Sequence, residues 1–600
     1  MRAPVTRFPQ HRFPHQTPTW VGLIAVAFLA LGAHDALGAE EVEHPNVLLI
    51  LTDDQGWGDL GSHGNEVLET PVLDKLAAEG VTFDRFYVSP VCAPTRASVL
   101  TGRYHARTGV SGVTHGLEVM NAEEVTIAEL LGKAGYATGC FGKWHNGSHY
   151  PFHPNGQGFE EFVGFCAGHW TLYFDTQLEH NGNEFKSRGY ISDVLTDRAI
   201  GFMEANREKP FLCYVPYNAP HSPFQVPDTP YDKYRLKGLD PELATVYGMV
   251  ENLDHNIGRM LSTLDDLGLR EKTIVIFLTD NGPNTKRYNG GMLGRKGSTD
   301  EGGVRVPCII SWPGHLKPRR VEPLAAHIDL LPTIMQLCHV AVPSSLKLDG
   351  VSLVPLLEGK TEGWPERTLF HRYARRGKDD ASMAVRTSRH RMSRKSKKQP
   401  WRLYDMHTDP GQKENIAKEN PAIVDRLGKA YAAWEKDVTK GGFGQRPIEV
   451  GHSQSPAVSL LAPEAQMSGL HFHGKTGWAN DWLQGFTSPE ATATWPLEVA
   501  HPGTYDVTIY YTCPAKDVGK VVEARVGDAN LEKPITRAFD PEEVHGPNRV
   551  GRKEVGEKKW AALPMGSVTL PRGETKVVLS VAKPATDDFS VKRVEIRKVK

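Results

Sequence analysis

Residues Asn46-Val47-Leu48-Leu49-Ile50-Leu51-Thr52 form an unbroken apolar run that stops at Asp53 and Asp54. A strand with no polar alternation must be covered on both faces, which is the situation of a parallel strand inside an α/β sheet. Phe211 to Tyr217 and Thr273 to Thr279 are two more short β-rich runs, and the amphipathic helical pattern Pro241 to Leu267 precedes the second. Thr126-Ile127-Ala128-Glu129 reads as a capping box for a helix that ends near Gly135. Strands alternating with helices predict a mostly parallel sheet with helices on both faces, and ligands of such sheets gather at the carboxyl ends of the strands.

At 600 residues the chain has room for two or three domains. A net charge of −1 gives no signal for nucleic acid as a partner. Arg2, Arg7 and Arg12 precede the apolar run Val21 to Leu31, and Ala36-Leu37-Gly38-Ala39 offers small residues for cleavage. That order matches a secretory signal peptide over residues 1–39, so the mature chain is expected to be exported, periplasmic or secreted. No later run is apolar enough for a transmembrane segment. Seven scattered cysteines without paired spacing argue against a disulfide framework or zinc site, and leave one available for chemistry or simple burial.

A large α/β domain is expected over residues 45–365 and a small α+β subdomain over 366–440, where Ala381 to Arg391 and Trp401 to Tyr404 read as strands and Pro421 to Lys436 as a helix. The basic run Arg391 to Lys398 reads as an attractor for a polyanion or, more simply, as a solvated hairpin tip. Gly, Ser and Pro concentrate in residues 441–463, read as a linker. Beyond it, Ala491 to Val499, Thr504 to Thr512, Thr575 to Val581 and Val591 to Val599 alternate between turn residues, which predicts a separate all-β sandwich over 464–600. Trp478 and Trp482 suit either sugar stacking or core packing.

The chemistry concentrates in Cys92-Ala93-Pro94-Thr95-Arg96, followed by Thr101-Gly102-Arg103. Pro94 suits the first position of a helix and Gly102 its end, so Cys92 is expected just before the N-terminus, where orphan amides and Arg96 favour an anion. A buried cysteine ahead of an ordinary helix is the plainer alternative. Asp53, Asp54, Asp280 and Asn281 follow two strands and together make an all-oxygen set for a hard divalent cation, although each pair alone fits turn chemistry.

The C-x-P-x-R and T-G-R pattern resembles the signature of the formylglycine-dependent, type I sulfatases of the alkaline-phosphatase superfamily, with Thr95 where serine is commoner. Asp53-Asp54-Gln55-Gly56, Gly142-Lys143-Trp144-His145, Asn218-Ala219-Pro220-His221, Thr279-Asp280-Asn281-Gly282 and Gly294-Arg295-Lys296-Gly297 resemble the family's other motifs in order. The resemblance implies an alkaline-phosphatase-like fold and sulfate-monoester hydrolysis. It implies a Cys92 converted to formylglycine (3-oxoalanine) by a formylglycine-generating enzyme, whose hydrated aldehyde attacks sulfur. One calcium ion per chain is implied, held by Asp53, Asp54, Asp280, Asn281 and the modified Cys92. Arg96, Lys143 and His145 are implied to hold sulfate and the hydrate, with His145 as base, while His221 and Lys296 serve the leaving group. Asn146 stands where the family often has leucine, and is expected to touch the pocket wall.

Leu403-Tyr404-Asp405 and Asp409-Pro410-Gly411 resemble the small C-terminal subdomain of sulfatases. Trp495-Pro496-Leu497-Glu498-Val499, with Pro502-Gly503-Thr504-Tyr505, is similar to β-sandwich carbohydrate-binding modules. The expected substrate is a sulfated small molecule or glycan. His169, Trp170, Asp175, Asn284 and Arg287 lie on loops where specificity groups belong. Two other functions stay open: a phosphate-monoester or phosphonate hydrolase on the same fold, and a non-catalytic glycan-binding protein whose Cys92 is never converted. A two-zinc phosphatase would need extra histidine and carboxylate ligands, and none is found beside these motifs.

Overall fold

Five strands, Thr273–Thr279, Asn46–Thr52, Phe211–Pro216, Ala137–Lys143 and Glu161–Phe165, lie side by side and parallel in the middle of a ten-stranded sheet. This is a computed structural model, and it describes residues 44–374, 380–586 and 588–599. Successive residues of Asn46–Thr52 point to opposite faces. Val47, Leu49 and Leu51 join one apolar cluster with Leu100, Leu131 and Ile334, while Leu48 and Ile50 join another with Phe202, Leu253 and Ile257. The run lacks polar alternation because helices roof both faces: Cys92–Thr101, Ile127–Lys133 and Leu330–Leu337 on one, Ile191–Ala205 and Pro241–Asp266 on the other. Toward one edge Cys308–Ser311 runs antiparallel, which makes the sheet mixed.

The capping box is present, with Glu129 N donating to Thr126 Oγ1 at 3.1 Å and Thr126 N to Glu129 Oε2 at 2.9 Å. The signal peptide expected at residues 1–39 lies outside the described residues. Among the described residues no helix is long and apolar enough to cross a membrane, and all seven cysteines are free and buried.

A four-stranded antiparallel sheet follows, Leu369–Tyr373, Ser382–Arg386, His390–Arg394 and Arg402–Asp405, and helix Pro421–Val438 packs Leu427 and Tyr431 onto it. The basic run is not a hairpin tip throughout. Arg391 sits within a strand, fully buried, with Nη1 2.9 Å from Glu301 Oε2, and only Lys395, Lys397 and Lys398 are exposed. Glu301 also accepts from the Tyr87 hydroxyl at 2.7 Å. Burial opposes its charge, but Arg386 and Arg391 hold the carboxyl below the ordinary glutamate value. Arg391 therefore anchors the small sheet to the helix Glu301–Val304 of the large domain, and Lys395, Lys397 and Lys398, not Arg391, meet solvent.

Two six-stranded sheets enclose a further apolar core that includes Trp495, Val507, Leu579 and Val594. The expected linker is partly sandwich. Ile448–Val450 pairs in parallel with Leu497 to Val499, and Ala457–Leu461 pairs antiparallel with Arg593 to Arg597. The segment looked like a linker because turn residues separate two very short strands. Trp482 is buried against His473 and Trp560, ring centroids 4.5 Å and 5.3 Å away, so it packs the interior and has no open face for a sugar. The sandwich is docked on the large domain within one compact unit, Glu43–Lys600. His115 Nδ1 lies 3.0 Å from Pro463 O, Thr114 Oγ1 donates to Gly477 O at 2.9 Å, and Gln225 Nε2 donates to Asn548 Oδ1 at 2.8 Å.

Candidate active site

Parallel strands deliver their carboxyl ends to one edge, and the motifs meet there. Asp53 and Asp54 leave the first strand, Lys143 ends another, and Asp280 and Asn281 follow Thr273–Thr279. Asp54 adopts φ +65°, a left-handed turn that aspartate tolerates better than most residues, and its amide reaches Asp280 Oδ1 at 3.2 Å. Gly142 in the Gly-Lys-Trp-His motif is required by space, because a Cβ there would meet Pro216 O at 2.1 Å.

Cys92 is the first residue of its helix, one step further in than expected, with Val91 as the N-cap. Pro94 thus takes the third position, whose N–H has no helical acceptor either, so no hydrogen bond is lost. The Cys92 Sγ and carboxylate oxygens of Asp53 and Asp280 lie within 4.8 Å of one another, as do groups of Asp53, Asp54 and His221. Arg96 spends four hydrogen bonds on the protein: two on Asp280 Oδ2 (3.1 and 2.9 Å), one on Lys143 O (2.6 Å) and one on Tyr217 O (3.4 Å). Its fork braces Asp280, and does not lie open for an anion as expected from the sequence. Lys143 Nζ lies 2.5 Å from Asp53 Oδ2, and Lys296 Nζ lies 2.7 Å from Asp54 Oδ1.

Burial opposes the Asp53 charge, yet Lys143, His221 and Arg96 keep its carboxyl well below the usual range. Asp280 is pushed up to about 7, first by burial and then by the Asp53 charge. Two oxygens of this cluster, Asp53 Oδ1 and Asn281 Oδ1, are buried without a hydrogen-bond partner. Bare, converging oxygens of this kind suit a hard cation, which would satisfy them and offset the repulsion between the carboxylates. The residues therefore fit a divalent metal ion.

His145 is held at φ +63°. Its Nε2 lies 2.9 Å from Val113 O, which can only accept, so Nε2 carries the hydrogen and the buried Nδ1 is left bare. Burial, then the Lys143 charge, hold the ring neutral. His221 has the opposite arrangement: Nδ1 donates to Ser222 O at 2.6 Å, and Nε2 faces Asp54 Oδ2 at 3.6 Å. Asn146 does not form pocket wall. It is buried and donates to Ala93 O at 3.1 Å, which ties the His145 turn to the Cys92 helix.

Cys92, His145, His169, His221 and Lys296 line one cavity of about 510 Å³. Of the five loop residues expected to face substrate, His169 and Asn284 reach this cavity. The His169 ring lies parallel to His221 at 6.2 Å, and is pushed down to about 3 by burial and then by His221. Trp170 turns away to stack on Phe165 and bond Thr176. Asp175 is exposed and caps a turn through Gly189 N at 2.8 Å. The Arg287 side chain is fully buried on Asp59 at 2.7 Å and on Asp54 O at 2.7 Å, so it supports the Asp54 turn. Sequence reasoning missed Ser222, Arg552, Lys553 and Glu554 on the cavity wall; the last three lie more than 450 positions beyond Cys92 in the sequence, with no local motif to flag them.

The sulfatase family model matches residues 45–340, and the model of the N-sulphoglucosamine sulphohydrolase C-terminal region matches residues 296–433. Arylsulfatase A of Homo sapiens is 31% identical over 496 residues, covering 71% of this chain and 94% of that protein. The chain belongs to the sulfatase family. N-acetylgalactosamine-6-sulfatase of Mus musculus is 32% identical over 425 residues, covering 64% of this chain and 79% of that one. The crystal structure of Ps i-CgsB in complex with k-i-k-neocarrahexaose superposes with a TM-score of 0.63 at 30% identity, covering 67% of this chain and 95% of that chain. The sulfatase is thus a sulfuric ester hydrolase on an alkaline-phosphatase-like α/β fold, and its sandwich follows the last residue that either family model matches.

Proposed function

We propose that this sulfatase removes sulfate from a carbohydrate outside the cytoplasm, through a formylglycine made from Cys92. The observation that carries the reading is the convergence of Cys92, His145, His221 and Lys296 on one cavity beside the Asp53, Asp54 and Asp280 carboxylates. An oligosaccharide bound to the similar Ps i-CgsB, and the sugar sulfate in the name of the mouse relative, support a carbohydrate substrate. The basic, apolar and small-residue order of residues 1–39 supports export, and conversion of Cys92 requires a formylglycine-generating partner.

Asp53, Asp54, Asp280 and Asn281 would hold one hard divalent cation beside residue 92, calcium by the resemblance to sulfatases, which would lower the carboxylate repulsion and polarise sulfate oxygens. Formylglycine would supply a hydroxyl nucleophile and a second hydroxyl through which sulfate can be expelled. The remaining work falls to the side chains. Arg96 orients Asp280 and opposes the upward push that burial and Asp53 give its carboxyl. The Lys143 and Lys296 ammonium groups offset sulfate charge. His221, with Nδ1–H fixed on Ser222 O, passes a proton from Nε2 to the leaving oxygen when it is the imidazolium, a form that Asp54 favours from 3.6 Å and that burial and Lys296 oppose. His145, with Nδ1 bare, takes up the proton released when sulfate departs.

Sulfate release from a panel of sulfated mono- and oligosaccharides tests the substrate class. Turnover of at least one sugar sulfate is expected, whereas efficient cleavage of aryl sulfates with none of any glycan overturns the carbohydrate assignment. Elemental analysis is expected to find one divalent cation per chain, with activity lost on chelation and recovered with calcium. Two stoichiometric zinc ions would favour the phosphatase alternative.

A further inference from the structure

The active-site cavity is not built by the large domain alone. Trp478, Arg552, Lys553 and Glu554 line it together with Cys92 and His221, and all four belong to the C-terminal sandwich region. Their loops are held firmly. Arg552 donates Nε to Glu554 O at 2.7 Å and Nη1 to Thr171 O at 3.0 Å, so one guanidinium staples the loop to the large domain. Thr171 Oγ1 donates to Glu557 Oε2 at 2.9 Å, and Val550 packs against the apolar cluster beneath the sheet. Asn480 Nδ2 donates to His169 O at 3.3 Å, which sets the neighbouring Trp478 edge-on to the His169 ring at 6.4 Å.

Glu554 Oε1 accepts from Ser222 Oγ, one residue from His221, and Glu554 Oε2 accepts from Lys553 N at 3.2 Å. The carboxylate is half-buried on the cavity wall, and each of its oxygens has further lone pairs. Trp478 is likewise half-buried. An apolar ring and a fixed acceptor in one cavity are the two features that recognise a sugar, which offers C–H faces and hydroxyl donors.

We propose that Trp478 and Glu554 form the sugar-recognising wall of the active site, with the Trp478 ring against a pyranose face and the Glu554 carboxylate accepting from its hydroxyls. The sandwich is then a specificity element of the catalytic cavity, and its role is direct contact with the sugar that carries the sulfate. Arg552 is a positioning residue for this wall. Burial opposes the Glu554 charge, but the Ser222 bond and the nearby His169 and His221 hold the carboxyl below the ordinary glutamate range, so it serves as an acceptor at neutral pH.

The inference rests on the carbohydrate-sulfatase reading, and the test separates the two. Full-length wild type, Glu554→Ala, Glu554→Gln and Trp478→Ala are compared on a sulfated monosaccharide and on para-nitrophenyl sulfate, which has no hydroxyls to recognise. The readout is the ratio of kcat/KM on sugar to that on aryl sulfate, with a thermal melt to establish folding. The ratio is expected to fall about tenfold or more in Glu554→Ala and Trp478→Ala, and by less in Glu554→Gln, which keeps an acceptor oxygen and the shape. A ratio within about twofold of wild type in these variants, even where both activities drop together, means that Glu554 only anchors its loop, and overturns the proposal. Should Glu554→Ala fail to fold, the isosteric Glu554→Gln and the separate Trp478→Ala decide. Wild type that cleaves aryl sulfate but no sugar sulfate defeats the underlying reading and this inference with it, whereas a sugar-active wild type with unchanged ratios defeats this inference alone.

Discussion

Cys92→Ala is expected to reduce sulfate release by about 10⁴-fold or more, to the level of the uncatalysed background. The fold should survive. Alanine is a strong helix former at the first helical position, and removal of one buried sulfur atom costs about 1 kcal/mol. Substrate binding should also survive, since His145, His221 and Lys296 remain in the cavity. The thiol itself is a poor substitute for formylglycine: burial pushes the Cys92 thiol up despite the nearby Lys143 and Lys296, so the unconverted side chain is a neutral, weak nucleophile. Protein made in a host without the maturation enzyme should therefore behave like the alanine variant. Mass analysis of the peptide containing residue 92 distinguishes the forms, because conversion of CH2SH to CHO exchanges the sulfur and two hydrogens for one oxygen. Full activity in Cys92→Ala would remove residue 92 from the mechanism.

A chain ended at Lys440 is expected to melt well below the full chain and to lose most turnover of small aryl sulfates as well as of glycans. A tethered binding module would be dispensable for small substrates. Here the cut strips partners from the large domain: Gln225 loses Asn548, Ser222 loses Glu554, and His115 loses the carbonyls of Pro463 and Thr476 at 3.0 and 3.3 Å. Each lost interface hydrogen bond removes about 0.5–1.5 kcal/mol, and several such losses are a sizeable part of the roughly 5–15 kcal/mol stability of a whole domain. Thermal melts of the two proteins and their aryl sulfate kinetics decide the point. An unchanged melting temperature with full aryl sulfate turnover would show that the sandwich is an accessory after all.

Much of the frame was legible because its signals are local. The continuous apolar strand Asn46–Thr52, the capping box at Thr126 and Glu129, and the alternating strands of the sandwich each follow from the period of their own few residues. The motif residues Asp53, Cys92, Lys143, His145, His221, Asp280 and Lys296 were legible through their resemblance to the sulfatase motifs, and Asp53, Lys143 and Asp280 also border parallel strands, whose ends share one edge. The placement of Cys92 inside its helix was a boundary of one residue, decided by helix termini that tolerate proline at any of the first positions.

What only the tertiary structure decided is the partner of each charge. Arg287, Asp175 and the run from Arg391 look alike in sequence, polar residues in or near loops. Yet Arg287 is buried on Asp59, 228 positions away, Arg391 on Glu301, 90 positions away, and Asp175 stays in solvent. Glu554 meets Ser222 across 332 positions. A local pattern records which face of an element is apolar, because burial of that face is repeated along the chain. It does not record which single distant group completes a polar pair, because that depends on how whole sheets dock. The sequence by itself therefore determined the sheet, its edge and the residues gathered there, while the docking of the sandwich determined that Trp478 and Glu554 join them.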